Sequence, residues 1–111
     1  MTDSTPLSEP LFTVRELDLA HGHLLLSGPD FDFDSFSDIA EQLLVCIDAR
    51  VIEKELNADL HVWIIDFEGS RLLLKGEHYA SALWIEALSS ADNEALAFIA
   101  TLLPRQSGQL C

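Results

Sequence analysis

The segment from Leu60 to Leu88 constrains the fold most, because it has the pattern of strands joined by tight turns. Three runs in it are rich in branched and aromatic side chains, which favour strands: residues 60–67, 72–75 and 78–88. Gly69 and Gly76 lie between these runs, where a glycine suits a short turn. The segment therefore predicts an antiparallel meander of three strands.

The turns also predict which side chains share a face of the sheet. If Gly69-Ser70 is a two-residue loop, Phe67 faces Leu72. With Gly76-Glu77 as the second loop, one face is apolar throughout and consists of Trp63, Ile65, Phe67, Leu72, Leu74, Tyr79, Leu83 and Ile85. The opposite face is mixed and consists of Val62, Ile64, Asp66, Arg71, Leu73, Lys75, Ala80, Ala82, Trp84 and Glu86. We expect the apolar face to pack against a helix, since a one-residue slip would bury three charged side chains.

A hairpin is predicted before the meander. The segments Leu11–Leu19 and Leu24–Ser27 are strand-like, and His21-Gly22 between them suits a turn. This turn places Leu19 opposite Leu24, so the hairpin has one apolar and one acidic face.

Two helices are predicted as well. Apolar residues recur at helical spacing from about Ser35 to about Leu56, which predicts one long helix. A second helix runs from the capping segment at Ser90 to Leu103, where Pro104 ends it, and we expect it to be well buried. The fold class is therefore α+β with the order ββαβββα, in which the hairpin and the meander pack against the long helix.

The length of 111 residues suits one domain. We interpret residues 1–9 as a flexible leader, residues 10–105 as a single α+β domain and residues 106–111 as a tail. No run of about 18 apolar residues exists, and the first residues lack the pattern of a secretory signal, so we expect a cytoplasmic protein. Cys46 falls in an apolar run, which predicts a buried, reduced thiol.

The charge excludes some partners. The chain has 19 acidic and 6 basic residues, with a formal net charge of −13. Nucleic acid and anionic membranes would be repelled, because binding to them needs clustered Lys and Arg. The same charge keeps the chain soluble and can attract a basic protein.

Two groups of residues have the side chains of a metal site, but each lacks a feature that such a site needs. Carboxylates at Asp30, Asp32, Asp34, Asp38 and Glu41 match the ligand spacing of a calcium loop. Ser35 stands where that loop needs glycine, and Gly28-Pro29 prevents an entering helix, so we interpret the aspartates as serving the start of the helix, with Phe31 and Phe33 packed inward. His21 and His23 could hold zinc only with further ligands. No cofactor and no catalytic residue is predicted.

The run Ala58-Asp59-Leu60-His61-Val62-Trp63-Ile64-Ile65-Asp66-Phe67-Glu68-Gly69 carries a family resemblance, together with Glu77, Tyr79 and Trp84-Ile85-Glu86. With these residues, the chain resembles a small bacterial family that is catalogued as a domain of unknown function and found mainly in gammaproteobacteria. The resemblance implies a short cytoplasmic α+β protein. It implies no activity, so no functional residue is carried over.

Three functions remain open from the sequence. The first is a non-enzymatic interaction module, homodimeric through a patch on the mixed face that consists of Val62, Ile64, Leu73, Ala82, Trp84 and Glu86. The second is an acidic decoy or adaptor that binds a basic protein and mimics nucleic acid. The third is a small metal- or ligand-binding enzyme. The patch is available only if the C-terminal helix does not cover Trp84.

Overall fold

A computed structural model of the chain contains one six-stranded antiparallel sheet and two helices, and it describes residues 11–104. The elements are β1 (Thr13–Asp18), β2 (His23–Ser27), α1 (Phe36–Ile47), β3 (Arg50–Asn57), β4 (Leu60–Phe67), β5 (Ser70–Glu77), β6 (Ala82–Ala87), a short 3-10 turn (Ser90–Asp92) and α2 (Asn93–Leu102). The strand order in the sheet is β1-β2-β6-β5-β4-β3. The α+β class is thus confirmed. The predicted leader, residues 1–9, and the predicted tail, residues 106–111, lie outside the described residues.

The long helix predicted from Ser35 to Leu56 is wrong in its second half. Helix α1 ends at Ile47, and Asp48 adopts the left-handed conformation with φ 58°. The backbone N–H of Ala49 then donates to the carbonyl of Leu44, 2.9 Å away, which closes the helix end. The residues that follow form the edge strand β3, so the element order is ββαββββα.

The predicted register of the meander is wrong by two residues between β4 and β5 and by six between β5 and β6, where Leu74 pairs with Ile85 and not with Tyr79, but the predicted faces hold. Phe67 pairs with Ser70 and Trp63 with Leu74, because the loop consists of Glu68-Gly69. A shift by an even number of residues leaves each side chain on its original face, since strand side chains alternate with a period of two. Seven of the eight residues predicted for the apolar face are buried, namely Trp63, Ile65, Phe67, Leu72, Leu74, Leu83 and Ile85.

Tyr79 and Leu19 are two of the residues whose predicted burial is wrong. Strand β5 continues through Gly76 to Glu77, so Tyr79 lies in the turn before β6 and is 76% exposed. Leu19 lies in a longer hairpin loop and is 41% exposed, because Leu17 takes the place opposite Leu24.

Both helices pack on the same face of the sheet. The buried residues of α1 (Phe36, Ala40, Leu43, Leu44 and Ile47) and of α2 (Leu96 and Ile99) form one cluster with the apolar face. Gly76 allows Phe36 of α1 to pack directly on the backbone of β5, because a Cβ at this position would overlap the Phe36 ring. Helix α2 is confirmed, although Phe98 and Leu102 are exposed rather than buried. Cys46, predicted to be buried, lies on the solvent side of α1.

No helix within residues 11–104 is long and apolar enough to cross a membrane.

Candidate interaction surface

The sheet face opposite the helices, which we call the open face, holds the predicted patch. Within residues 11–104, no helix or strand lies over it, since both helices join the core on the other side. Trp63 is buried beneath the helices, whereas Trp84 lies on the open face and is only partly buried. Helix α2 therefore does not cover Trp84.

Two adjacent rows of side chains run across the open face from β3 to β1. The first row is Glu55, Val62, Lys75, Trp84, Leu25 and Glu16. The second row is Glu53, Ile64, Leu73, Glu86, His23 and Asp18. Each row has apolar residues near its middle and a carboxylate at each end. The open face thus combines an apolar centre with an acidic rim at both edges of the sheet.

Glu86 organises the polar part of this centre. Its Oε2 accepts a hydrogen bond from Trp84 Nε1 at 2.8 Å and lies 3.0 Å from Lys75 Nζ and 3.6 Å from His23 Nε2. Partial burial raises the pKa of Glu86, but the hydrogen bonds from Trp84 and Lys75, with the charges of Lys75 and His23, outweigh it and leave this pKa lowered. The ionised carboxylate therefore fixes the orientation of the Trp84 indole.

The six residues of the predicted patch share the open face. Val62, Ile64, Leu73, Trp84 and Glu86 lie in the two rows, and Ala82 lies beside them, opposite Glu77. Leu25 also belongs to the apolar centre, and Leu60 lies in the next row between Asn57 and Glu77; neither was predicted as part of the patch. Leu25 was missed because β2 pairs with β6, a contact between distant parts of the chain that no turn reveals. The predicted hairpin placed Leu25 on the face away from Leu24, but it gave no sign that a residue of β6 lies beside Leu25.

A second cluster lies on the helix side of the sheet, around His61. This imidazole is 8% exposed and stacks on the ring of Phe36, with centroids 4.3 Å apart. Phe33 contacts both His61 and His78 and is 48% exposed, so its predicted inward packing is wrong, while Phe31 is buried as predicted. Burial lowers the pKa of His61, and His78 lowers it further.

His61 Nε2 and His78 Nδ1 are both buried without a hydrogen-bond partner among the described residues. Their ring centroids are 6.2 Å apart. Neither histidine was predicted to be functional.

Asp32 bonds with Ser35, the N-cap residue of α1, and Ser35 itself makes no side-chain cap hydrogen bond to the helix. Asp32 Oδ1 accepts a hydrogen bond from the Ser35 backbone N–H at 2.8 Å, while Ser35 Oγ accepts from the Asp32 backbone N–H at 2.9 Å. The backbone N–H of Ser35, followed by its hydroxyl, acts on the Asp32 carboxylate and lowers the pKa of Asp32. Such reciprocal bonding resembles a capping box.

The two hairpin histidines have separate partners. His21 Nδ1 lies 2.8 Å from Asp18 Oδ2, and His23 faces Glu86. Within residues 11–104, no three His, Cys, Asp or Glu side chains lie close enough together to hold one ion.

The fold and the open face define a small two-layer α+β protein whose antiparallel sheet is covered by helices on one side. The chain belongs to the family described as protein of unknown function (DUF3630), whose model matches residues 12–104. The resemblance to a family of unknown function is therefore confirmed. No curated protein and no solved structure shows significant similarity to the chain.

Proposed function

We propose that this protein is a non-enzymatic interaction module that binds a basic partner protein through its open face. The observation that carries this proposal is the order of side chains in the two rows, where apolar residues lie between carboxylates at both edges of the sheet. A partner with an apolar centre and a basic rim would complement it.

The centre of the open face has the composition of a protein interface. Leu25 lies beside Trp84 in the first row, and Val62 lies on the other side of Lys75 in that row. Ile64 and Leu73 lie in the next row, and all four apolar residues are partly exposed. Aromatic residues near the middle of an interface often contribute most of its binding energy. The hydrogen bond to Glu86 holds Trp84 in one orientation, so less conformational entropy is lost when a partner binds.

The rim specifies the charge of the partner. Glu53 and Glu55 lie on the β3 edge, and Glu16 and Asp18 lie on the β1 edge. Of the basic groups on the open face, Lys75 contacts Glu86 and Arg50 contacts Asp66, while Arg71 lies exposed opposite Asp66 and outside the two rows. Together with the net charge of −13, this rim would speed the approach of a basic protein and repel an acidic one.

A second copy of the chain fits the open face less well than a basic protein does. In a face-to-face dimer, a two-fold axis along the strands lays β1 of one copy over β3 of the other, and an axis across the strands lays each edge over itself. Either arrangement places Glu16 and Asp18 against carboxylates of the partner copy. Like charges in such positions cost binding energy. The geometry therefore favours a basic partner over the homodimer.

Two synthetic peptides of equal length and charge test the proposal. One is amphipathic, made of Lys and Leu, and the other replaces each Leu with Ser. We expect the Lys/Leu peptide to bind more tightly, to shift the amide resonances of β2, β4, β5 and β6, and to weaken as salt is added. The variant Leu73→Ser should lose this preference, while Val45→Ser on the exposed side of α1 should keep it.

Equal binding of the two peptides, or resonance shifts confined to the helices, would contradict the proposal. Sedimentation equilibrium of the protein alone tests the alternative in which a second copy of the chain binds the open face. A dimer that dissociates in the Leu73→Ser variant would replace the basic partner with a second copy, and a monomer supports the proposal.

A further inference from the structure

We propose that a basic segment of the partner adds to the sheet as a further strand along the free edge of β3. This inference rests on the proposed function and specifies how the partner binds. Strand β3 pairs only with β4 among the described residues, so its other edge presents unpaired backbone donors and acceptors. A peptide strand that adds to such an edge gains main-chain hydrogen bonds in addition to side-chain contacts.

Strand β3 is long and open enough to receive a strand. It spans the eight residues Arg50–Asn57, and all of them are exposed. The average strand is about 5–6 residues long, and edge strands are commonly shorter still. Apolar side chains along it, including Ile52 at 45% and Leu56 at 47% exposure, offer a partner strand surface to bury.

The alternation of side chains along β3 specifies the sequence of the added strand. Glu53 and Glu55 point to the open face, because they lie opposite Ile64 and Val62. Leu56 points to the helix side, opposite His61. A complementary strand therefore has basic residues at two alternate positions, facing the glutamates, and an apolar residue between or beside them.

Lys54 does not disturb this pattern, although it is basic and lies between the two glutamates. Its Nζ lies 4.3 Å from the centroid of the Trp63 ring and 3.7 Å from Glu41 Oε2. The ammonium is thus held against the protein on the helix side. The open-face side of the β3 edge carries only negative charge over residues 53–57.

The same charges prevent β3 from pairing with β3 of a second copy. A two-fold axis between two antiparallel edge strands is perpendicular to the sheet, so residues that face each other point to the same side. Registers centred on Glu53, Lys54 or Glu55 then place a glutamate directly opposite a glutamate. The irregular pairing between Val51 and Glu53 further twists the edge. The edge rejects its own copy and accepts a strand of opposite charge.

Binding of short peptides to the full chain tests this proposal. The probe is a peptide of alternating Lys and Val, and its control carries N-methyl groups on every second amide, which keeps the charge but blocks one hydrogen-bonding edge. We expect the unmodified peptide to bind at least about ten-fold more tightly. Its binding should slow hydrogen exchange at β3 amides that face away from β4. Equal affinity of the two peptides would overturn the proposal.

A charge reversal gives the matched variant. In the double variant Glu53→Lys/Glu55→Lys, both substitutions lie at exposed positions, so the fold is expected to persist, and circular dichroism verifies it. The Lys/Val peptide should lose about ten-fold in affinity, and a Glu/Val peptide should gain a similar factor. If the Lys/Val peptide binds the variant as tightly as the wild type, strand addition at β3 is wrong.

The two proposals fail separately. The Leu73→Ser variant tests the apolar centre, whereas the charge reversal and the methylated peptide test the β3 edge. Loss of the edge effects with retention of the Lys/Leu preference would refute strand addition and leave the open face as the binding surface. Loss of the Lys/Leu preference as well would refute both.

Discussion

Trp84 and Glu86, two residues apart on β6, are joined by a hydrogen bond of 2.8 Å between the indole N–H and Glu86 Oε2. Lys75 Nζ lies 3.0 Å from the same oxygen. The carboxylate therefore holds a tryptophan and a lysine in place on the surface that we propose binds a partner. This arrangement predicts how much Glu86 contributes to the free energy of unfolding and how that contribution depends on pH.

Substitution of Glu86→Gln should lower the free energy of unfolding by about 1–2 kcal/mol at pH 7, because a charge-assisted contact to Lys75 is lost from a partly exposed site. The pKa of Glu86 is lowered in the folded protein, so the carboxylate contributes stability above the ordinary value of 4.5. That contribution is lost as the pH falls through the lower, folded-state pKa.

Urea denaturation at a series of pH values measures this effect. The difference between wild type and Glu86→Gln should be constant above pH 4.5 and shrink below it. Glu16→Gln, at the exposed rim of the same face, is the control and should change stability little at any of these pH values. A difference that grows on acidification would show that the folded-state pKa of Glu86 is raised instead.

His61 should make the protein less stable in mild acid. Burial lowers its pKa in the folded state from the ordinary 6.5, so the unfolded chain binds a proton more readily than the folded one. The stability from neutral His61 is fully present above pH 6.5 and is lost as the pH falls through the lower folded-state pKa. The substitution His61→Phe should retain stacking on Phe36 and flatten this part of the pH dependence.

Thermal unfolding at pH 7.5 and at pH 5.5 gives the comparison, with His21→Phe as the exposed control. Only His61→Phe should reduce the difference in Tm between the two pH values. An NMR titration in which the His61 ring protonates at or above pH 6.5 would contradict the assignment.

The faces of the strands and the pairing within the hairpin and the meander could be predicted from sequence, while the registers and the pairing of β2 with β6 could not. A strand side chain keeps its face when the register shifts by an even number of residues, so Trp63 and Trp84 were placed on opposite sides although both predicted loops were wrong. The β2–β6 contact joins segments that are far apart in the chain, and no local pattern indicates it. Leu25, which that contact brings beside Trp84, was therefore missing from the predicted patch.

The edge strand β3 shows why the predicted helix was too long. Val51 and Ile52 continue the apolar stripe that starts in α1, and Glu53 and Glu55 fit its polar side, so residues 50–56 satisfy a helical pattern as well as a strand. All residues of β3 are exposed, so the strand lacks the alternation of buried and exposed side chains that would distinguish it from a helix in the sequence. The break at Asp48 depends on its left-handed backbone, which a glycine would have signalled and an aspartate does not.

Gly76→Ala should destabilise the protein by about 1–3 kcal/mol, because the added Cβ would overlap the ring of Phe36 in a packed core. Chemical denaturation measures the loss. Adding Phe36→Leu should recover part of it, since the two sites share one contact. Gly69→Ala is the matched control: a Cβ at Gly69 meets no atom within 4 Å, so the cost arises from its φ of +90° and should be unaffected by Phe36→Leu.

Asp48→Gly should stabilise the protein, which is uncommon for a single substitution. Asp48 has a φ of 58° at the end of α1, a conformation that costs energy for a residue with a Cβ and little for glycine. We expect a gain of a few tenths to about 1 kcal/mol in the free energy of unfolding, measured by urea denaturation. Asp38→Gly, inside the first turn of the same helix, should instead lower stability by about 1 kcal/mol. If both substitutions destabilised the protein equally, α1 would continue beyond Ile47 in solution, and the following residues would not form the β3 edge on which strand addition depends.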